Sequence, residues 1–319
     1  MKLKEITIEI TQKCPNYCIH CSSLSSLNCS TMLQLEVIKK AIDDAIDLGV
    51  SVISLSGGEP FMHPDIVEII KYIHNHRISC YVYTSGIYHD GYHFQPLSEN
   101  MLSSVCGCID KLIFNIEAAD SEMYEVIMGV QGGFRLMVAS VMKSVRLGFV
   151  VECHTVVMKI NYHKIPQLFA FCEALGISRI SFLRLVMQGR AIDNRQFTYL
   201  TDEEIKVAKK LIYEQAKYYS GTIRMGMPMS DCVEKVNCLA GTSKLDIRYD
   251  GNVYPCEAFK NDLPKNLSKN QPENICEKSL KEIYCHSEYL NDIRCCLEKY
   301  HESNSCETCM SQYYLTNKK

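Results

Sequence analysis

Residues 11–21 read TQKCPNYCIHC, which places Cys14, Cys18 and Cys21 at C-x3-C-x2-C spacing directly after a short β-like run at 4–11. Three thiolates on one tight loop can hold three irons of a cubane and leave the fourth iron open, whereas a structural 4Fe–4S site takes four cysteines. Such a loop therefore asks for a ligand from outside the protein. A zinc loop completed by His20 is the plain alternative, but zinc sites are usually built from paired two-ligand knuckles, and this spacing does not follow that pattern.

Outward from the loop, a strand-like run followed by a helical run recurs through the first 185 residues. The run at 6–11 leads through the cysteines to a helical apolar pattern at 33–48, stopped by Gly49. Next, 52–56 leads through Gly57, Gly58, Glu59 and Pro60 to a helix at 66–76, and 80–84 leads through Ser85 and Gly86 to one at 97–105. The strand-like run 111–117 precedes helical runs at 123–127 and 134–147, 150–157 precedes 165–175, and 180–185 closes the series. This alternation predicts a parallel sheet with crossover helices: an α/β fold, a partial (β/α)6 barrel of the TIM type, open on one side. Chemistry in such barrels gathers at the C-terminal strand ends. The cysteine loop, Gly57 to Glu59, Thr84, Ser85, Asn115, Glu117, His154, Thr155 and Arg184 all fall there.

Composition narrows the class. A chain of 319 residues that is 47% hydrophobic supports a large core, and its 22% charged content is ordinary for a globular protein. The net charge of −3 gives no electrostatic reason to expect nucleic acid or an anionic membrane as partner. The N-terminal MKLKEITIEITQKC lacks the apolar core of an export signal, and no apolar run reaches the length of a membrane span. A cytoplasmic protein is expected. Its 18 cysteines are the anomaly, and without an export signal they read as metal or cluster ligands rather than disulfides. Cys80, Cys153 and Cys172 fall in apolar periodic segments and need no such role.

From 188 the rhythm breaks, and 202–219 reads as one amphipathic helix. A boundary near Arg195 divides a core at 1–195 from a linker helix and a small cysteine-rich α+β domain at 196–319. In the latter, Cys238 and Cys256 stand in the pattern C-x12-G-x4-C, followed by Cys306-x2-Cys309. Asp250-Gly251 between two strand-like runs is a two-residue hairpin signal that asks for positive φ at both positions. The hairpin would bring Cys238 and Cys256 together. Cys232, Cys295 and Cys296 are rival ligands, and tetrathiolate ligation suits zinc as well as iron–sulfur clusters.

The triple-cysteine loop together with Ser56-Gly57-Gly58-Glu59-Pro60 resembles the signature of the radical S-adenosylmethionine superfamily. The resemblance implies that Cys14, Cys18 and Cys21 hold a 4Fe–4S cluster whose open iron is chelated by the methionyl amine and carboxylate of S-adenosylmethionine. It implies that Gly57 and Gly58 let backbone approach that cosubstrate, that Glu59 pairs with its ammonium group, and that His20 lies near its adenine. Ser85, Asn115, Glu117, Thr155 and Arg184 are the further cosubstrate contacts it suggests. Arg184 stands out because a charge inside an apolar strand needs a partner.

The C-terminal pattern resembles the SPASM/Twitch extension of such enzymes. Because no cysteine follows Cys309, the shorter Twitch form is expected, with one auxiliary 4Fe–4S cluster on Cys238, Cys256, Cys306 and Cys309.

The implied activity is reductive cleavage of S-adenosylmethionine to a 5′-deoxyadenosyl radical that takes a hydrogen atom from substrate. A flavodoxin- or ferredoxin-type donor would supply the electron. The FNIEA and LRLVMQGRA segments resemble peptide maturases, so oxidative modification or cross-linking of a ribosomally made peptide is the expected reaction. The single auxiliary pattern instead suits a small-molecule dehydrogenase of the aminocyclitol type, as does a strand that starts close to the first residue, leaving no leader-recognition domain. A non-catalytic iron–sulfur or zinc scaffold is the contrasting class. Solvated loop is the plain reading of His89 and His93, and packing that of the MGMPM run at 225–229.

Overall fold

The computed structural model describes residues 2–226, 238–261, 267–303 and 309. Strand β1 (Glu5–Thr11) turns Ile6, Ile8 and Ile10, all fully buried, to one face, and Glu5, Thr7, Glu9 and Thr11 to the other. The apolar face shares a core with Ile38, Ala41, Ile42 and Ala45 of helix α1 (Leu35–Asp47).

The unit then repeats through β2 (Val52–Gly57), α2 (Ile66–Asn75), β3 (Ser79–Thr84), a small hairpin of β4 (Ile87–His89) and β5 (Phe94–Pro96), α3 (Glu99–Ser104) and β6 (Lys111–Asn115). It continues through α4 (Ser121–Met128), α5 (Gly133–Arg146), β7 (Val151–Val157), α6 (Ile165–Ala174) and β8 (Arg179–Arg184). Short helices α7 (Arg190–Asp193) and α8 (Arg195–Thr198) lead into α9 (Asp202–Ala216). Thr201 and Glu204 start α9 with a reciprocal capping box.

β1, β2, β3, β6, β7 and β8 are successive parallel neighbours, as the repeated rhythm predicts. The sheet also extends past them. β9 (Thr222–Met225) adds in parallel beyond β8. On the opposite edge β10 (Lys244–Ile247) pairs in parallel with β1, and β11 (Val253–Tyr254) pairs antiparallel with β10. The full order is β11-β10-β1-β2-β3-β6-β7-β8-β9. Helices α10 (Leu280–His286) and α11 (Glu288–Ser303) follow, with the Leu280 N–H donating to Asp44 of α1 at 2.7 Å.

Two local expectations are corrected. The Asp250-Gly251 turn is not a two-residue hairpin: the loop runs from Arg248 to Asn252, and only Gly251 takes positive φ (+88°). Arg248 holds Asp250 in an ion pair at 2.5 Å, and a Cβ on Gly251 would stand 2.5 Å from Asn274 Oδ1. Of the two histidines expected in a solvated loop, His89 instead ends β4, while His93 does lie in the exposed turn before β5, tightened where Asp90 Oδ1 accepts the N–H groups of Tyr92 (2.8 Å) and His93 (2.7 Å).

The sheet face turned away from the helices is polar. Buried Thr7, Glu9, Ser54, Glu152, His154, Ser181 and Asp246 lie on it. Its charges are mostly matched: Glu152 with Lys111 (3.1 Å) and Arg179 (3.7 Å), Lys244 with Glu257 (2.9 Å), and Lys260 with Glu9.

Candidate functional site

The cysteine loop leaves the end of β1 and is braced by backbone from three directions. At the end of β2, the N–H groups of Gly58 and Glu59 donate to the carbonyls of Thr11 (2.6 Å) and Lys13 (2.9 Å). A Cβ on Gly57 would stand 2.4 Å from Thr11 O, and one on Gly58 would stand 2.2 Å from Lys13 O. The close approach these glycines permit is thus to the loop's own backbone. The end of α4 accepts from Tyr17 (Met128 O, 3.0 Å) and Ile19 (Ile127 O, 2.9 Å). From beyond β8, the Arg190 N–H donates to Cys21 O at 3.1 Å.

Cys14 is buried, and Cys18 and Cys21 are half-buried. Burial pushes the Cys14 and Cys18 thiols up, and mutual repulsion among the three thiols adds to it. For Cys14 and Cys18, bound metal cations would offset both effects. Among the described residues, no three His, Cys, Asp or Glu side chains gather closely enough to hold a single ion. Two further observations fit a cluster. Asn16, between Cys14 and Cys18, is buried with both amide atoms unpartnered among the described residues. Arg190 brings a buried cation against the loop, its Nε on Cys18 O at 2.8 Å and its Nη2 on Ser25 O at 3.0 Å.

The remaining expected contacts fall into two groups and two singletons. Glu59 is fully enclosed. Its Oε1 accepts from Thr84 Oγ1 (2.8 Å) and the Phe61 N–H (3.3 Å), and its Oε2 accepts from the Ser85 N–H (2.8 Å) and Oγ (2.7 Å). Burial raises its pKa while these donors oppose the rise. In this structure the carboxylate ties β2 to β3, and its acceptor positions are filled by protein. His20 Nε2 stands 3.4 Å from Glu117 Oε1, and Glu117 Oε2 accepts from the Val156 N–H (2.8 Å) and Thr155 Oγ1 (3.3 Å). His20 Nδ1 is buried without a partner among the described residues. Asn115 and Arg184 end their strands half-buried, and no described residue partners either side chain.

On the C-terminal side, the base of the β10–β11 hairpin joins Gly241 to Pro255 O at 2.9 Å, bringing the segments of Cys238 and Cys256 together. Burial pushes the Cys256 thiol up, with Glu257, Cys309 and Cys238 adding to the rise. Burial and then Cys309 act likewise on Cys238, although the Ala240 N–H opposes them. Three of the four expected ligands are therefore neighbours. Cys306 and Cys232 lie outside the described residues. Of the rivals on α11, Cys295 is exposed and Cys296 directs its thiol to Leu267 O at 3.7 Å.

Sequence reasoning passed over Asn16, Arg190 and Lys260. Arg190 follows the Gly in QGR and Asn16 sits inside the cysteine spacing, whereas nothing local to Lys260 hints that it reaches β1.

Comparison with known proteins agrees with the geometry. Residues 8–172 match the radical SAM superfamily, and residues 238–310 match the SPASM iron–sulfur cluster-binding domain. The chain is 25% identical over 306 residues to the PqqA peptide cyclase of Ruegeria pomeroyi, covering 94% of this chain and 78% of that one. It is 24% identical over 311 residues to the AdoMet-dependent heme synthase of Methanosarcina barkeri, covering 91% of this chain and 84% of that one. The crystal structure of Streptococcus suis SuiB bound to precursor peptide SuiA superposes with a TM-score of 0.74 at 18% identity, over 92% of this chain and 67% of that one. The fold, the thiol loop at the end of β1 and the second thiol group lead to one conclusion: the chain belongs to the radical SAM superfamily and carries a C-terminal SPASM iron–sulfur domain.

Proposed function

We propose that this radical SAM enzyme oxidatively modifies or cross-links a ribosomally made peptide. The observation that carries the reading is the pair of thiol groups, one on the loop after β1 and one beside the β10–β11 hairpin, held on adjacent strands of one sheet. The peptide class is supported by the PqqA peptide cyclase and by the likeness to SuiB with its precursor peptide. The heme synthase match favours a second reading, a small-molecule substrate on the same framework.

With cluster and S-adenosylmethionine bound, the site supplies one-electron chemistry that generates a 5′-deoxyadenosyl radical. Cys14, Cys18 and Cys21 would hold that cluster, and Cys238, Cys256, Cys306 and Cys309 the auxiliary one. Gly57, Gly58 and Glu59 set the β2 end against the loop, and Ser85 is fixed by Glu59. His20 with Glu117 and Thr155, together with Asn115 and Arg184, rim the strand ends where a cosubstrate would be oriented. Arg184 has a cation to offer its carboxylate. The enclosing sheet would limit the access of water to the reacting centre. The proposal keeps the division near Arg195, a cytoplasmic setting and a flavodoxin- or ferredoxin-type donor. Among the described residues, no single helix is long and apolar enough to cross a membrane.

Anaerobic reconstitution with S-adenosylmethionine, a reductant and candidate precursor peptides tests the proposal. Cys18→Ala is expected to abolish 5′-deoxyadenosine release. Cys256→Ala should retain uncoupled release and lose modified peptide. Equal loss of cleavage in both variants would contradict the division of labour, and turnover of a small molecule but no peptide would favour the second reading.

A further inference from the structure

Arg190 is 7% exposed, yet it belongs to neither the expected cosubstrate contacts nor the cysteine ligands. Its guanidinium donates to Cys18 O (2.8 Å) and Ser25 O (3.0 Å) and lies 4.0 Å from the centre of the Tyr17 ring. Its backbone N–H donates to Cys21 O at 3.1 Å. One residue delivered by the turn after β8 therefore grips the cysteine loop at four points.

The preceding residue is built for this approach. Gly189 takes φ +56°, and a Cβ there would stand 2.4 Å from Cys21 O, so only glycine lets the two backbones meet. Asn194 braces the same corner, donating to Ile19 O (3.2 Å) and Arg190 O (2.9 Å).

All of these acceptors are neutral. Among the described residues no carboxylate pairs with Arg190. Lys260, the buried cation on the Cys21 side of the loop, is by contrast matched by Glu9. A buried guanidinium without a countercharge is unfavourable, and it stays charged because it does not deprotonate. The positive field of Arg190 acts on the Cys18 thiol, and the loop's own thiols can carry the missing negative charge.

We infer that Arg190 is a positioning residue whose fixed positive charge compensates the cluster on Cys14, Cys18 and Cys21 and raises that cluster's reduction potential. The inference rests on the radical SAM reading above. Burial leaves the field only weakly screened by salt, and the two carbonyls with the Tyr17 ring hold the side chain in place. Adding an electron to a site that already carries negative charge is easier beside such a cation.

The test is a redox titration of the reconstituted full-length protein, followed by EPR, with iron and sulfide analysis, on wild type, Arg190→Gln and Arg190→Lys. Arg190→Gln is expected to lower the reduced-to-oxidised ratio of the amino-terminal cluster at least tenfold at fixed potential, about 59 mV for a one-electron couple. Arg190→Lys keeps the charge and should recover most of the shift, and the auxiliary cluster should not move in either. Loading by the Lys variant but not the Gln variant also supports the inference, since charge then decides. Both variants loading at the wild-type potential, or neither loading, would overturn it, because shape alone would then explain Arg190. Failure of the wild type to load an amino-terminal cluster would instead refute the proposed function.

Discussion

His154 lies on the polar face of β7, 7% exposed, with its ring centroid 5.2 Å from that of Tyr83. Burial, reinforced by the positive field of Arg224, Lys111, Lys244 and Arg179, pushes its pKa from 6.5 down to about 3. The imidazole is therefore neutral in the folded protein at physiological pH. Between these two values the unfolded chain binds a proton that the folded chain refuses, so stability rises with pH across the window and falls as pH drops. From pH 7 to pH 5 one such group accounts for a loss of about 2 kcal/mol, at about 1.4 kcal/mol per pH unit once the unfolded imidazole is charged. The assay is urea unfolding at pH 7 and pH 5 of wild type and His154→Gln, both at the same cluster loading. Carboxylates and other histidines contribute equally to both proteins and cancel in the difference. Wild type should lose about 2 kcal/mol more than the variant on acidification. Equal losses would refute the reasoning, whatever the substitution costs at pH 7.

Two further perturbations address the groups that hold the site together. Lys260→Met should cost about 3–5 kcal/mol, because Glu9, 2% exposed, is left charged without its partner. Adding Glu9→Gln should recover much of that loss in urea unfolding, and additive losses would show that the pair is not the cause. Glu59→Gln replaces one acceptor oxygen with an NH2 group that faces the donors of Thr84, Phe61 or Ser85. A stability loss of about 1–3 kcal/mol is expected, with weakened S-adenosylmethionine binding as a consequence. Weakened binding at unchanged stability would show instead that Glu59 touches the cosubstrate directly.

The parallel core was legible because each strand is a short run with apolar residues on at least one face and each helix carries a 3.6-residue apolar stripe. β1 and α1, for example, bury Ile8 and Ile38 in one core. β9, β10 and β11 were not recognised as parts of the same sheet. They are four, four and two residues long, and partners far away in sequence, Ile8 for Ile247 and Phe182 for Met225, decide their places. The cysteine spacing revealed the loop because chemistry fixes it locally. The meaning of Glu59 was less accessible. The sequence shows a carboxylate beside two glycines, but its enclosure by Thr84 and Ser85 depends on how the ends of β2 and β3 meet. Arg190 and Lys260 were missed for the same reason: each acts on residues more than 150 positions away.

That long-range pairing bears on how the two thiol groups work together. Domains joined by side-chain docking usually move relative to one another. Here β1, which ends in the cysteine loop, forms a parallel ladder with β10 from Glu5↔Lys244 to Ile8↔Ile247, and β10 leads through β11 to Cys256. Side chains fasten the same seam: Thr7 Oγ1 donates to Glu257 (3.0 Å), Gln12 Nε2 to the Tyr249 hydroxyl (2.9 Å), and Lys260 to Ser23 Oγ (2.8 Å) as well as to Glu9. Separating the Cys14 loop from the Cys256 segment would break ladder bonds and expose the buried Glu9–Lys260 pair. The span between the two groups is thus set when β10 adds to β1, before any substrate arrives. Were both thiol groups to hold their clusters, any electron exchange between them would cross a distance that this seam fixes.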